Sequence, residues 1–247
     1  MNSNLSDNPS NGAVDFHSTI VRKFKDRYTT NANFRERVNI WHTLLSKYIT
    51  PEMTAVDAGC GPGWMSFFLA ERIRRVYGVD GSSEMLKLCE EELQETEFEN
   101  LSFHQAYLPF DLDRVPFAEV DALVTSSVVE YVEEYQETLD NFRDMIRPEG
   151  IVILSMPNRK SLYRKLEKWV YRIFSRPSYY GFMRNSEDEQ QLTKLMDDRG
   201  FDHLETVYYS SNYPFSGVVK STLPTVRTHN LFAAVYRKRP VGETSGS

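Results

Sequence analysis

The stretch VDAGCGPGW, from Val56 to Trp64, places three glycines and a proline directly after a short apolar run, with the carboxylate Asp57 in front of them. An apolar run followed by closely spaced glycines predicts a β-strand that turns tightly into a helix. Such a turn lets a nucleotide-like ligand approach the backbone closely. The stretch therefore indicates an α/β fold with a cofactor site after the first strand, and it raises the question of which cofactor binds there.

The spacing of the glycines argues against a dinucleotide. A dinucleotide-binding loop needs G-x-G-x-x-G, because its third glycine lets the helix pack closely on the strand. Here Gly59, Gly61 and Gly63 give G-x-G-x-G, and Trp64 occupies the position of that third glycine. Asp57 would also repel the phosphate charges of a pyrophosphate. A nicotinamide enzyme is therefore disfavoured, and the loop favours a cofactor that carries positive charge.

S-adenosylmethionine meets this requirement, because its sulfonium and amino groups are cationic and its single carboxylate can bind backbone N–H groups at a loop or helix N-terminus. Asp57 could attract the amino end. The next predicted strand, in YGVD, ends on Asp80, seventeen positions after Gly63. Folds of this kind place there an acid that accepts hydrogen bonds from both ribose hydroxyls. The two carboxylates support one assignment, and a tight turn without any ligand is the alternative.

The rest of the chain alternates predicted strands and helices, which indicates an α/β fold with a doubly wound, mostly parallel, seven-stranded Rossmann-like sheet. Residues 1–14 and 241–247 are polar and are predicted to be disordered. The residues between them are predicted to form one domain, with N-terminal capping helices over 15–50, a cofactor-binding core over 51–157 and substrate-side insertions over 158–230.

Composition narrows the class of protein further. The N-terminus lacks the basic start and apolar stretch of a signal peptide, and no apolar run is long enough to span a bilayer, so we expect a cytoplasmic location. Two cysteines do not make a disulfide framework, and no Cys/His cluster has the spacing of a zinc site, so we expect reduced thiols and no metal. The net charge of -6 argues against a nucleic-acid partner.

Five motifs taken together resemble class I S-adenosylmethionine-dependent methyltransferases, in particular the small-molecule group that includes the quinone-biosynthesis enzymes. The resemblance covers about 54–157, through VDAGCGPG, YGVDGSSEML, LPF, SSVVEYV and IRPEGIVILSMPN. It implies an enzyme of the EC 2.1.1 class that methylates a small, aromatic or hydrophobic metabolite such as a natural-product or quinone-like intermediate. A non-catalytic regulatory or partner subunit that binds S-adenosylmethionine or a related nucleoside is the alternative.

The resemblance also implies which residues bind the cofactor. They are Asp57, Ala58, Gly59, Cys60, Gly61 and Gly63 around the methionine portion, Asp80 on the ribose, Gly81 and Met85 near the adenine, and Gln105, Ala106 and Ser126 after the third and fourth strands. Two positions depart from the family pattern. Gln105 replaces an aspartate that accepts from the adenine amino group, although its side-chain carbonyl can still accept. Tyr131 stands where many relatives carry a histidine.

Catalytic residues are harder to assign, because methyl transfer needs an in-line nucleophile more than acid-base chemistry. An oxygen or activated-carbon nucleophile would use a base within hydrogen-bond reach. The candidates that could orient or activate an acceptor are His17 and Tyr28 in the capping region and Tyr131 in VVEYV. A structural role remains open for each. Glu130 of the same motif could cap the next helix or pair with a basic neighbour.

The stretch from Arg159 to Arg184 carries eight basic residues against one acid in an otherwise acidic chain. Its apolar side chains fall on one helical face, at Leu162, Leu166, Trp169, Val170 and Ile173. Three interpretations are open: a surface helix with its apolar stripe on the core, a lid over the substrate pocket, or contact with a membrane surface. The last two favour an acceptor that is hydrophobic, anionic or both, which six aromatic residues of the stretch would contact.

Overall fold

A central seven-stranded sheet organises the chain, with strand order β3-β2-β1-β4-β5-β7-β6. The computed structural model describes residues 32–174, 176, 178–210 and 221–240, so the predictions for the two termini, His17 and Tyr28 lie outside the described residues. The strands are β1 (Thr54–Ala58), β2 (Arg75–Asp80), β3 (Leu101–Gln105), β4 (Val120–Thr125), β5 (Ile146–Pro157), β6 (Phe201–Tyr209) and β7 (Leu231–Lys238).

The pairing of the strands confirms the predicted fold class. The neighbours from β3 across to β5 are all parallel, whereas β7 is antiparallel to both β5 and β6. The helices are α1 (Ala32–Tyr48), α2 (Trp64–Ala70), α3 (Ser83–Leu93), α4 (Tyr135–Met145), α5 (Leu162–Phe174), α6 (Glu189–Asp197) and α7 (Thr225–Thr228), with a 3-10 turn at Ser178–Gly181. The parallel pairings mean that every strand from β1 to β5 runs in one direction, as a doubly wound sheet requires.

Alternating strand residues build two hydrophobic layers, one on each face of the sheet. In β1, Val56 packs in one cluster with side chains of α4 and α6, whereas Ala55 packs in the other with side chains of α1 and α2. Trp41 anchors α1 in this second layer and is fully buried. Because both faces are covered at the centre of the sheet, β4 and the second half of β5 are almost continuously buried.

The predicted range of the substrate-side insertions needs a correction. Residues 158–230 include α6 and β6, and β6 pairs with β7 along the edge of the sheet. Leu192 and Met196 of α6 lie in the same hydrophobic cluster as Val56. These elements belong to the core because they bury apolar side chains against the sheet, so the insertion after β5 ends before α6.

The orientation of α5 rules out one of the three interpretations of the basic stretch. None of the residues of this helix is buried, and Leu166, Trp169 and Ile173 of the apolar stripe are exposed. The stripe therefore does not pack on the core. Within the described residues, no helix is long and apolar enough to cross a membrane.

Candidate active site

The predicted cofactor residues meet at one edge of the sheet, where β1, β2 and β4 end. Asp57 lies near the end of β1, Asp80 ends β2, and Ser126 directly follows β4. The order β2-β1-β4 places a topological switch between β1 and β4, since the chain winds away from this point in both directions. Doubly wound sheets leave a crevice for ligands outside the strand ends at such a switch.

The glycine-rich turn uses three left-handed backbone conformations in five residues. The φ angles of Gly59, Gly61 and Gly63 are 73°, 54° and 81°. At Gly59 a Cβ would overlap Val128 Cγ2 of the segment after β4, whereas at Gly61 a Cβ would find no atom within 4 Å. The first glycine therefore permits close packing between two segments of the site, and the second faces open space that a ligand could occupy.

The N–H groups of this turn are not available to a phosphate. Each already donates within the protein: those of Gly59 and Cys60 to the Val79 carbonyl, that of Gly61 to Asp80 Oδ2, and that of Gly63 to the Cys60 carbonyl. Pro62 has no N–H. A phosphate site at such a loop needs free N–H donors. The same satisfied donors leave no N–H within Gly59 to Gly63 for a cofactor carboxylate. Of the two positions that the sequence suggested for this carboxylate, the loop is therefore disfavoured, and the N-terminus of α2 stays a prediction.

Asp57 places a buried carboxylate directly beneath the turn. The Ser66 hydroxyl donates to Asp57 Oδ2 at 2.7 Å, whereas Asp57 Oδ1 has no hydrogen-bond partner. Burial raises the pKa of the Asp57 carboxyl to about 7, and the nearby Asp80 adds to this, while the bonds from Ser66 act in the opposite direction. A buried acceptor without a partner is costly, so this oxygen fits a cationic or hydrogen-bond-donating group of a ligand.

Asp80 joins the glycine turn to the end of β2. Its two carboxylate oxygens accept one backbone bond each, from Ser82 N–H and Gly61 N–H, both at 2.8 Å. Burial raises the pKa of Asp80 against the effect of these bonds. Because a carboxylate offers about four lone-pair positions, acceptor capacity remains for two further donors such as a pair of hydroxyls.

The other predicted cofactor residues surround Asp80. The Gln105 amide donates to the Gly81 carbonyl at 3.0 Å, and Ala106 N–H donates to the Asp80 carbonyl at 3.2 Å. The Gln105 bond uses the amide nitrogen, so the side-chain carbonyl oxygen remains as the acceptor that the sequence analysis assigned to it. Met85 is buried in the first turn of α3, which Ser82 caps by accepting from Met85 N–H.

Arg37 of α1 is a site residue that the sequence reasoning missed. Its Nη2 donates to the Ser126 carbonyl at 3.1 Å and to Ser126 Oγ at 2.5 Å, and its Nε is buried without a partner. The guanidinium therefore brings a positive charge, with donor capacity left over, to the segment after β4. No motif surrounds Arg37, and only the tertiary contact reveals its position.

Glu130, in the segment after β4, is a third carboxyl of the site with a raised pKa. The side chain is buried, Oε2 has no hydrogen-bond partner, and burial raises the pKa to about 7 against opposing effects of Arg37 and Arg164. The Glu130 carbonyl accepts from Arg184 N–H and Asn185 N–H. Glu130 therefore does not cap α4, which begins at Tyr135, and its backbone ties the segment after β4 to the residues that follow α5.

Of the three residues predicted to act on the acceptor, Tyr131 alone is among the residues that the structure describes. Tyr131 follows Glu130 in the same turn and is partly buried, whereas His17 and Tyr28 lie outside the described residues. His104 of β3 is partly buried, shares a hydrogen bond with Ser102 and packs beside Tyr77 and Phe117. These contacts give His104 a packing role in β3.

The chain matches a family model described as a methyltransferase domain over residues 49–200, which is more than half of its length. Among curated proteins it is similar to trans-aconitate 2-methyltransferase of Azoarcus sp. (strain BH72), with 31% identity over 126 residues, 49% of this chain and 46% of the relative. Malonyl-[acyl-carrier protein] O-methyltransferase of Hamiltonella defensa is 26% identical over 140 residues, 56% of this chain and 50% of the relative. The chain spans about half the length of these curated relatives.

Among solved structures the fold is similar to magnesium protoporphyrin IX methyltransferase from Synechocystis PCC 6803 with bound SAH. The TM-score is 0.68 at 19% identity, and the match covers 94% of this chain and 100% of the other. At this identity the likeness concerns the fold.

Proposed function

The chain belongs to the methyltransferase-domain family, and from this premise we propose that it transfers the methyl group of S-adenosylmethionine to a small-molecule acceptor. The observation that carries the proposal is the glycine turn, which has used all its N–H donors and lies between two carboxylates, Asp57 and Asp80. Such a turn suits a cofactor that is cationic at one end and carries ribose hydroxyls at the other, and it does not suit a pyrophosphate.

Each part of the cofactor has a proposed partner in this chain. Asp80 accepts from the ribose hydroxyls, and Asp57 Oδ1 accepts from the amino group. Arg37 binds the cofactor carboxylate, because its guanidinium has a buried donor without a partner and the loop from Gly59 to Gly63 offers no free N–H. Met85, Gly81 and Gln105 contact the adenine.

The cofactor, when bound, supplies an electrophilic methyl group on a sulfonium. The protein contributes position and charge. Asp57 and Asp80 offset the positive charge of the bound molecule, and the contact between Gly59 and Val128 holds the segment after β4 against the turn. An acceptor lying on that segment would be held beside the sulfonium, and holding two reactants in line supplies a large part of the rate enhancement.

We propose that the acceptor is aromatic or hydrophobic and lies between the segment after β4 and the residues that follow α5. Tyr171 and Tyr180 pack together with ring centroids 5.3 Å apart, and Asn185 donates to the Val129 and Val132 carbonyls. The Asn185 bonds hold the residues that follow Tyr180 in the chain against the turn of Glu130 and Tyr131. Tyr131 would orient the acceptor, and Glu130, which is poised to exchange a proton near neutral pH, is a candidate base. Roles of His17 and Tyr28 stay predictions.

A turnover assay tests this function. The protein is incubated with S-adenosylmethionine carrying a labelled methyl group and a panel of acceptors: phenols, quinone-like intermediates, amines, and carboxylic acids such as trans-aconitate. We expect labelled product and S-adenosylhomocysteine with at least one aromatic or hydrophobic acceptor. Tight cofactor binding without turnover on any acceptor class would favour the non-catalytic alternative, and turnover on small polar acids alone would reject the aromatic pocket.

Replacing Arg37 by alanine tests the proposed carboxylate contact. Arg37→Ala should weaken S-adenosylhomocysteine binding about tenfold to a hundredfold, which is the loss of one charge-assisted hydrogen bond. Binding of 5′-methylthioadenosine, which lacks the carboxylate and the amino group, should change less than about twofold. Arg35→Ala on the exposed side of the same helix is the matched control. Equal losses for both ligands would mean that Arg37 acts only by holding Ser126.

The raised pKa of Asp57 predicts a pH dependence of binding. Without ligand this carboxyl is protonated below about pH 7, and an ammonium group against Oδ1 favours the ionised form. Binding of S-adenosylhomocysteine should therefore release a proton below pH 7, and the affinity should rise up to about tenfold per pH unit between pH 5.5 and 7 and then level off. Calorimetry in buffers of different ionisation enthalpy measures the released proton.

Two controls isolate Asp57 in this experiment. Asp57→Asn should abolish the pH dependence of S-adenosylhomocysteine binding, and 5′-methylthioadenosine should bind the unaltered protein without it, because that ligand has no ammonium group. Glu130→Gln tests whether the other carboxyl of similar pKa contributes. If the pH dependence persists in Asp57→Asn and disappears in Glu130→Gln, the titrating group is Glu130 and the assignment to Asp57 is wrong.

A further inference from the structure

The apolar stripe of α5 points away from the protein. Leu166, Trp169, Ile173 and Phe174 expose 54%, 60%, 52% and 66% of their surface. The first three recur at helical spacing together with Leu162, so they form one continuous face. Large apolar side chains exposed singly are ordinary, but a contiguous exposed apolar face marks an interaction site.

Polar contacts hold the opposite face of α5 against the protein. Arg164 Nη1 donates to Glu167 Oε2 at 3.0 Å, Arg164 Nε donates to the Asn230 carbonyl at 3.3 Å, and the Asn230 amide donates to Glu167 Oε1 at 3.3 Å. The Arg164 and Glu167 side chains are mostly buried. The helix therefore turns its ion pair inward and its apolar stripe outward, the reverse of an ordinary surface helix.

A row of cationic side chains lies beside the apolar stripe. Lys165, Lys168 and Arg172 recur at helical spacing and are exposed. Among the residues that the structure describes, they have no ion-pair partner, in contrast to Arg164 on the inner face. This row is a local cluster of positive charge in a chain whose net charge is -6. Unneutralised cations next to exposed apolar residues provide charge complementarity to an anionic, apolar surface.

We propose that this face of α5 docks on a lipid bilayer that contains anionic lipids. The stripe would enter the boundary between head groups and acyl chains, where Trp169 fits because tryptophan prefers that boundary, and the cationic row would contact the lipid phosphates. The interior of a protein–protein interface is depleted of lysine, which favours a bilayer over a protein partner. The 13 residues of α5 span only about 20 Å, so the helix would lie in the plane of the membrane.

Vesicle binding tests the proposal. The full chain is mixed with vesicles of phosphatidylcholine and phosphatidylserine at a 7:3 ratio, or of phosphatidylcholine alone, and the bound fraction is measured by flotation. We expect binding to the mixed vesicles that weakens at least tenfold without phosphatidylserine. Leu166→Glu combined with Trp169→Glu should weaken it at least tenfold as well, as should Lys165→Glu combined with Lys168→Glu. These side chains are exposed, so the thermal midpoint and S-adenosylhomocysteine affinity should not change.

A matched variant separates local from overall charge. Lys87→Glu combined with Lys194→Glu makes the same change in net charge on α3 and α6 and should bind vesicles like the unaltered chain. Failure of the unaltered chain to bind anionic vesicles would overturn the proposal, as would equal losses in the two charge variants. Sedimentation velocity without lipid tests whether a second copy of the chain occupies this face instead. A dimer that dissociates when Leu166→Glu and Trp169→Glu are combined would show a contact between two copies and would also overturn the proposal.

Discussion

Asp80→Ala should weaken the binding of S-adenosylhomocysteine and 5′-methylthioadenosine about a hundredfold or more. Both ligands carry the ribose whose two hydroxyls are proposed to donate to this carboxylate. A hydrogen bond to a charged group contributes about 1.5–3 kcal/mol, so the loss of two corresponds to at least two orders of magnitude in affinity. Asp80 also accepts from Gly61 N–H and Ser82 N–H, so its removal loosens the turn that forms the rest of the site.

Calorimetry with two further variants checks this expectation. Asp80→Asn keeps one acceptor oxygen and nearly the same shape, so it should lose less affinity than Asp80→Ala. Asp113→Ala removes an exposed carboxylate elsewhere and should bind both ligands normally. Thermal unfolding shows whether each variant is folded. If folded Asp80→Ala still binds either ligand within about threefold of the unaltered chain, the ribose contact is wrong.

Gly59→Ala should lower the free energy of unfolding by about 2–4 kcal/mol. The new Cβ would overlap Val128 Cγ2 and lie 3.0 Å from Cγ1, and the φ of Gly59 is +73°. Overpacking of a filled site costs about 1–3 kcal/mol, and a left-handed conformation costs a residue other than glycine about 1 kcal/mol more. Urea denaturation measures this change.

Gly61→Ala is the matched control for Gly59→Ala. Its φ of +54° imposes a similar backbone cost, but its Cβ meets no atom within 4 Å, so only about 1 kcal/mol of stability should be lost. Val128→Ala combined with Gly59→Ala should recover part of the loss, because it removes the overlapping methyl groups. Equal destabilisation by the two glycine substitutions, with no recovery in the double variant, would show that the segment after β4 does not pack on the turn.

The sequence predicted the parts of the site that local backbone chemistry determines. Closely spaced glycines after an apolar run require a tight turn, and an acidic residue at the end of the next parallel strand must lie at the same edge of the sheet. Gly59, Gly61 and Asp80 could therefore be placed before the structure was known, and the alternation of elements gave the fold class.

The parts that could not be predicted depend on contacts between distant residues. Arg37 reaches Ser126 across 89 positions of sequence, and no local pattern encodes that contact. The buried state of Glu130 depends on the segment that follows α5. The amphipathic pattern of α5 showed that an apolar stripe exists, but the direction of the stripe depends on the contact of Arg164 and Glu167 with Asn230, which lies far along the chain.

Calorimetric titration of the purified protein with S-adenosylmethionine and S-adenosylhomocysteine, with NAD as the comparison, tests the central claim most directly. We expect one site per chain, with a Kd in the micromolar range for both adenosyl ligands and no heat with NAD. This expectation rests on the glycine turn without free N–H donors, on the unpartnered Oδ1 of Asp57 and on the acceptor capacity of Asp80. Binding of NAD, or no heat from either adenosyl ligand at concentrations well above about 100 μM, would contradict the proposed cofactor site.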